Sequence, residues 1–521
     1  MLERELKLHV PVSQRRALEK EIRRLGASQA SLAACYFDTP DRRLARAGIA
    51  LRLRLEGGQW VQTVKAPGPD ELSRLEINHP RPKPDLDLNL YGNTPVAAFF
   101  GGLEQPPEPT YETRVQRLVL RRDTGSGAVE FAYDRGAIIA GRFELPLCEL
   151  ELELVSGDAV QLFTLGAEWL KKYSLVLDLR SKAERGDGLA RLARDTAGHT
   201  AAGAGRPAVQ PGLLFPPRRA RQIMLEPGMD LMQAYRQCVN ECLNQIVRNA
   251  AFLAGVESEH PGPELCSGYV HQLRIGIRRL RSCWKLFGKW IPVGDSLLEG
   301  ELRRYFALLG QSRDADNIRR HIEPRLMRAG MPALAPPGHA GRKEPDVDHA
   351  DMRALAASVP FQSCLLNLLE HTLAISSPAP RLPAGAAGTE HAGAPDPGRL
   401  LRKRLNKWLD RICREGEHFC SLPVAEQHAL RKRAKRLRYC LEFAAGLLSR
   451  KRMRRLQSAL AEVQEELGWL NDLYVAQAHY TALAVAQPQA LFALGWLQAM
   501  RDQSQAKAQE AFLKLRDAGG L

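Results

Sequence analysis

The stretch Leu2-Glu3-Arg4-Glu5-Leu6-Lys7 decides how the first two hundred residues are read. In an extended strand, residues two apart project from the same face, so Glu3, Glu5 and Lys7 share one surface. Glu149, Glu151 and Glu153 repeat the pattern, as do Arg52 and Arg54, while Leu51, Leu53, Leu150 and Leu152 face the other way. On a half-buried sheet such charge is simply a solvated face. If several of these strands close with their charged sides inward, the result is a polar tunnel in which acids can hold metal and cations can hold phosphate.

Outward from that stretch, alternation recurs at residues 49–55, 60–65, 114–120, 129–134 and 147–155, which predicts strands. Gly57-Gly58, Pro67-Gly68-Pro69 and Gly125-Ser126-Gly127 supply turns, and residues 13–25 and 158–172 read as helices. The N-terminal unit is therefore α+β with antiparallel strands, over residues 1–200. An Ala, Gly and Pro-rich stretch from Gly198 to Gly212 marks a boundary, giving a linker over 201–223. Beyond it helical spacing dominates, so residues 224–510 are expected to be all-α. Sequences of linker composition at 329–345 and 376–398 divide this region into two halves, about 224–328 and 400–510.

At 521 residues the chain exceeds one ordinary core, and 45% hydrophobic with 26% charged residues excludes a wholly disordered or membrane-embedded protein. No apolar run reaches the length of a spanning helix and the start lacks a secretory signal's apolar region, so a cytoplasmic location and no membrane partner are expected. Ten scattered cysteines without a CxxC pair read as reduced core residues. The net charge of +15 lies almost wholly beyond residue 200, where 45 basic residues face 31 acidic ones, against 29 and 28 before it. That bias points to a polyanionic partner.

The N-terminal pieces resemble the CYTH family of triphosphate tunnel enzymes, whose hallmark is an N-terminal ExExK, here Glu3-Arg-Glu5-Leu-Lys7. In family order follow Tyr36-Phe-Asp38-Thr39, Leu51-Arg52-Leu-Arg54, Thr63-Val-Lys65, Arg74-Leu-Glu76, Arg114 with Arg117, Asp134, Glu149-Leu-Glu151-Leu-Glu153 and Ser181-Lys182-Ala-Glu184-Arg185-Gly186. The resemblance covers about residues 1–200 and implies a closed antiparallel β-barrel. It implies Mg2+ or Mn2+ on Glu3 and Glu5 with two of Glu149, Glu151 and Glu153. It also implies a triphosphate on Lys7, Arg52, Arg54, Lys65, Lys182 and one or both of Arg114 and Arg117, and catalytic roles for Glu3, Glu5, Lys7, Lys65 and Glu76. A chain of mutually repelling oxyanions needs several fixed cations, with Arg supplying bidentate forks and Lys compact charges.

The helical halves share a repeat, H-x2-R-x3-[KR]-[KR]-x-R, at His271-x2-Arg274-x3-Arg278-Arg279-x-Arg281 and His428-x2-Arg431-Lys432-x2-Lys435-Arg436-x-Arg438. Downstream, Leu309-Gly310-x2-Arg313-Asp314 answers Leu467-Gly468-x2-Asn471-Asp472, so a duplicated helical bundle is expected. Steps of three and four keep each set on one helix face, where like charges repel and a bound anion would relieve them. The repeats resemble the CHAD family of conserved-histidine α-helical domains over roughly residues 224–500. This resemblance implies that His271, Arg274, Arg278, Arg281, His428, Arg431, Lys432, Lys435 and Arg438 bind inorganic polyphosphate.

Joined, the two resemblances look like the bacterial inorganic triphosphatases, implying hydrolysis of inorganic triphosphate in the tunnel beside a polyphosphate-binding module. The alternatives are a noncatalytic polyphosphate scaffold and an enzyme for an organic triphosphate, including a class IV adenylyl cyclase. Nucleic acid ranks below these, because the basic stripes lack interleaved aromatic stacking platforms.

Overall fold

The computed structural model describes residues 2–196, 214–257, 262–293, 295–334, 349–376 and 396–521, without the side chains of 311–316, 349, 350 and 376. Residues 201–213 of the expected linker, 335–345 and 377–395 of the two interrupting stretches, and the side chains of Arg313 and Asp314 therefore lie outside the described residues.

Alternation of leucine with charge makes the N-terminal strands two-faced, and closing the sheet buries both faces. β1 (Leu2–His9), β2 (Ser28–Asp38), β3 (Ala50–Glu56), β4 (Gln59–Pro67), β5 (Ser73–Arg81), β6 (Glu108–Asp123), β7 (Ala128–Ala140) and β8 (Phe143–Ser156) pair antiparallel in the order β5-β4-β3-β2-β6-β7-β8-β1. The ring is closed by β1 itself. Its first half pairs with β5, in the register Leu2↔Leu75 and Glu3↔Arg74, and its second half with β8, in the register Glu5↔Glu153 and Lys7↔Glu151. Beyond β5 the two-residue β9 (Val176–Leu177) takes over that edge of β1 at Leu8 and His9. The expected closed barrel is present.

Leu6, Leu8, Leu51, Leu53, Leu150 and Leu152 are at most 1% exposed on the outer face. Helices cover much of it. Val160–Tyr173 contributes buried Leu162, Phe163, Trp169 and Leu170, with the Trp169 ring 5.2 Å from that of Phe131, and Arg15–Arg24 contributes Leu18 and Ile22.

Three strands escape the alternation pattern. β2 begins Ser-Gln-Ala-Ser-Leu-Ala-Ala, whose small residues carry little period-2 contrast, β5 contains Pro80, and β9 is two residues long. Barrel closure, not local pattern, makes them strands.

After residue 214 the described elements are helical, among them Leu231–Leu253, Pro263–Phe287, Ser296–Asn317, Val359–Ser376, Pro397–Gly416, Val424–Ala444, Arg450–Ala484 and Ala490–Asp517. Two compact units do not follow the sequence boundary. One comprises Met1–Arg219 with Leu243–Leu273 and Met352–Ala374, and the other comprises Ala220–Cys242, Arg274–Asp351 and Ile375–Leu521. Inside the first unit, Gln362, fully buried, accepts the Leu177 N–H of β9 at 2.9 Å, so a helical segment satisfies a backbone donor at the barrel edge.

Candidate active site

Strand register places the charged groups. Inward-facing Glu3, Glu5 and Lys7 of β1 meet Arg74 of β5 and Glu151 and Glu153 of β8, and Lys65 of β4 lies opposite Glu76 of β5. Lys182 comes from the first turn of the helix Lys182–Asp195, whose start is fixed by Ser181 accepting the Glu184 N–H at 3.1 Å. Glu3, Glu5, Lys7, Arg52, Arg54, Lys65, Arg117, Glu151, Glu153 and Lys182 line one cavity inside the barrel.

Two clusters divide the cavity. In the first, Lys65 Nζ lies 2.6 and 2.9 Å from the oxygens of Glu3 and 3.0 Å from Glu76. Burial and a hydrogen bond with Glu76 push Glu3 up to about 8, whereas Glu76 is held low: burial opposes ionisation, but the bond from Glu3 and the charge of Lys65 outweigh it. The pair thus shares one proton beside one ammonium.

In the second cluster, Lys7 Nζ lies 2.5 Å from Glu5 and 2.9 Å from Glu151. Lys182 Nζ contacts Asp134 at 2.7 Å, Glu151 at 3.0 Å and Glu149. Arg117 grips Asp134 bidentately at 2.7 and 2.6 Å and reaches Glu151 at 2.9 Å. Burial opposes every charge here, yet the opposite charges prevail. Glu5, Asp134 and Glu151 are held below the usual carboxylate range, and Lys7, Lys182 and Arg117 above their ordinary values.

Arg52 and Arg54 are less fully paired. Arg52 Nη1 donates to the Tyr36 hydroxyl at 3.3 Å and Arg54 contacts Glu56, but the Nε of each is buried without a hydrogen-bond partner. Burial, then the neighbouring Arg52 and Arg117, pull Arg54 down to about 9. Crowded, under-bonded guanidiniums in a cavity favour an anion.

Two expected site residues stand elsewhere. Arg114 points outward, its side chain 68% exposed and paired with Glu112 at 3.0 Å, because three residues along β6 separate it from inward-facing Arg117. Glu149 is buried and turned to Lys182 and Arg185, and it is not among the residues that line the cavity. Asp38 and Thr39 shape a loop: buried Asp38 accepts the N–H groups of Thr39, Leu44 and Ala45 at 2.7, 2.9 and 3.0 Å. Tyr36 and Arg74 line the cavity and Asp134 organises its cations, although the residue pattern alone had given none of them a role.

The donor set suits a hard divalent cation. Glu3 and Glu153, both raised first by burial, and Glu5 beside them offer carboxylate oxygens whose crowding such an ion would relieve. Asp134, Glu149 and Glu151 also bring oxygens within 4.8 Å of one another around the ammonium of Lys182, and of these three Glu151 lines the cavity beside Glu5 and Glu153.

In the helical unit, Arg274 donates to the Phe306 carbonyl at 2.9 Å and Arg431 to that of Leu467 at 2.9 Å, so the same position of each repeat ties one helix to the next. Arg278 lies over the Phe306 ring at 5.2 Å, Arg281 is 3.9 Å from Glu299, and Arg438 bonds Glu442 at 3.1 Å. Burial and then Arg303 lower Arg281, with Arg436 of the second repeat adding to the repulsion. Burial lowers His428 below the ordinary imidazole value, with the charges of Arg431 and Lys432 adding. Lys432 is exposed, Lys435 is half-buried, and His271 is half-buried on Pro263–Phe287. Among the described residues, no helix is long and apolar enough to cross a membrane.

Comparison with known proteins gives two family matches. The CYTH domain profile matches residues 1–186 and the CHAD domain profile residues 238–481. An inorganic triphosphatase of Haemophilus influenzae is 34% identical over 158 residues, 29% of this chain, and the chain spans 44% of that relative's length. The crystal structure of the CHAD domain from Ricinus communis is 27% identical with a TM-score of 0.44, covering 57% of this chain and 96% of that one. A Hippeastrum putative adenylyl cyclase, described as having a dominant triphosphatase activity, is 18% identical with a TM-score of 0.28, covering 36% and 95%.

Proposed function

We propose, for a chain that belongs to the CYTH family in its first part and to the CHAD family in its second, that it is a metal-dependent inorganic triphosphatase. It converts tripolyphosphate and water to pyrophosphate and phosphate, and its helical domain binds inorganic polyphosphate. The observation that carries this reading is the make-up of the cavity wall. Its cations come from β1, β3, β4, β5, β6 and the helix Lys182–Asp195, and Tyr36 is the sole aromatic among the described lining residues, its hydroxyl already engaged by Arg52. Such a wall suits a bare chain of phosphates and gives a nucleobase or thiazole little to stack on.

In this mechanism Arg52, Arg54 and Arg117 take phosphate oxygens through their N–H forks, and Lys7, Lys65 and Lys182 supply point charges along the chain. Glu3, Glu5, Glu151 and Glu153 would hold Mg2+ or Mn2+. Such an ion, when bound, neutralises charge on phosphate oxygens and acidifies a coordinated water. Water attacks the terminal phosphorus, the bridging P–O bond breaks, and pyrophosphate leaves with that electron pair. The water's proton passes to product or solvent. The protein's work is positioning and charge stabilisation, with no phosphoenzyme. Phosphate release from tripolyphosphate, ATP and thiamine triphosphate with each metal, with cyclic AMP read in parallel, tests the reading. Absence of metal-dependent turnover of any triphosphate defeats it, and preference for an organic one redirects it.

The proton held between Glu3 and Glu76 makes metal binding pH-dependent. Below about 8 Glu3 is protonated in the metal-free tunnel, and a ligating carboxylate must lose that proton. Apparent Mg2+ or Mn2+ affinity is therefore expected to rise from pH 6 to 8 and level off above. Calorimetry in two buffers of different ionisation enthalpy should show release of about one proton at neutral pH. A flat profile would remove Glu3 from the ligand set.

For the helical domain, replacing Arg278, Arg281, Lys435 and Arg438 by Gln is expected to weaken long-chain polyphosphate binding at least about tenfold near 0.1 M salt and to flatten its salt dependence. Tripolyphosphate turnover should be unaffected. Unchanged polyphosphate affinity would show that these stripes are solvated faces.

A further inference from the structure

Glu149, the wall acid turned away from the cavity, is shared between Lys182 and Arg185. Arg185 is 1% exposed, and its second terminal nitrogen donates to Glu257 Oε1 at 2.8 Å. The other oxygen of Glu257 accepts from Arg180 Nη1 at 2.9 Å. Arg180 closes the row on Asp178, with bonds of 2.9 and 2.7 Å, its guanidinium 4.5 and 4.7 Å from the ring centres of Phe215 and Phe252. From the cavity outward the buried charges alternate in sign: Glu151, Lys182, Glu149, Arg185, Glu257, Arg180, Asp178.

Glu257 lies far along the chain from the strands it serves, inside the stretch that matches the CHAD profile, yet it belongs to the same compact unit as the barrel. It is one of three described non-glycine residues with positive φ, at 57°, a conformation that persists where the surroundings dictate it. The preceding helix makes a second tie: Arg248 pairs with Glu184, in the first turn of the helix that carries Lys182, and Asn244 donates to Glu71 at 2.6 Å.

We propose that Glu257 is a positioning residue for Lys182, acting through Arg185 and Glu149, so that a CHAD-region side chain sets the position of a triphosphate-binding cation in the CYTH tunnel. This rests on the triphosphatase reading above. With its charge removed, buried Arg185 retains Glu149 as its carboxylate and draws it closer. Lys182 then loses one of its three acids and is drawn more tightly onto Asp134 and Glu151, out of the position in which it meets the anion. An interaction lost equally from bound substrate and transition state raises KM more than it lowers kcat.

The test uses the full chain. E257Q is expected to raise both KM and the calorimetric Kd for tripolyphosphate about tenfold with kcat within about threefold, and E257D to recover part of that loss. In an R185M background E257Q should change KM no further, because the connecting guanidinium is gone. Circular dichroism and thermal midpoints separate folded variants from unfolded ones, and if E257Q does not fold, E257D carries the test with a smaller rise in KM. Wild-type KM and Kd in a folded Glu257 variant, or full additivity with R185M, would overturn the proposal. A wild-type chain that neither binds nor hydrolyses tripolyphosphate would instead bring down the reading on which it rests.

Discussion

Glu5→Gln is expected to lower metal-dependent tripolyphosphate turnover by about a hundred- to a thousandfold, the range seen when one preorganised charge is removed from a buried reaction site. Glu5 is buried, 2.5 Å from Lys7 and opposite Glu153 in the β1–β8 register. Burial resists its ionisation, but the charge of Lys7 prevails and keeps it an anion at neutral pH. The amide preserves size and removes the negative charge that a divalent cation needs. Lys7 keeps Glu151 at 2.9 Å, so the ammonium is not left alone and the barrel should stay folded. Steady-state hydrolysis over a metal titration, with circular dichroism on the same sample, checks this. A folded variant retaining more than about a tenth of wild-type turnover would take Glu5 out of the metal site.

Legibility in the sequence followed the length scale of the cause. β1, β3 and β8 show their two faces because leucine and charge alternate within each strand, and the tunnel could be anticipated from those three alone. β2 could not, since Ala30, Ala33 and Ala34 carry no contrast of their own and become strand only by pairing with β3 and β6. The choice between Arg114 and Arg117 needed a register: pairing of Arg117 with Asp134 aims it inward, and the odd spacing sends Arg114 out. Glu149 shares a face with Glu151 by period, yet the helix carrying Lys182 and Arg185 lies close enough to claim it. Glu257 had no signal, being an ordinary glutamate whose partner Arg185 is 72 positions away. The helical stripes were legible as spacing, but the bonds of Arg274 and Arg431 to backbone carbonyls depend on where the next helix lies.

Asp134→Ala is expected to cost about 3–5 kcal/mol of barrel stability, as is usual when one partner of a buried ion pair is removed and the other remains. Asp134 is fully buried and accepts two bonds from Arg117 while contacting Lys182 at 2.7 Å. Without it, Arg117 is left with Glu151, which Lys182 must also use. Arg114→Ala, on the outer face of the strand that carries Arg117, removes only an exposed pair with Glu112 and should change stability by less than about 0.5 kcal/mol. Acid should act on the same network. Asp134, Glu5 and Glu151 have folded-state values below their unfolded ones, so their stabilisation is complete above about pH 5 and is lost as pH falls through the folded values. Protection of the β6 and β7 amides against hydrogen exchange reads this locally. It should drop in Asp134→Ala at pH 7, and the wild type should lose protection more steeply than the variant as pH is lowered from 5, because the variant has one fewer depressed carboxylate to protonate. Equal slopes would mean that Asp134 is not ionised in the folded barrel, and the cation-holding role assigned to it would fail with that result.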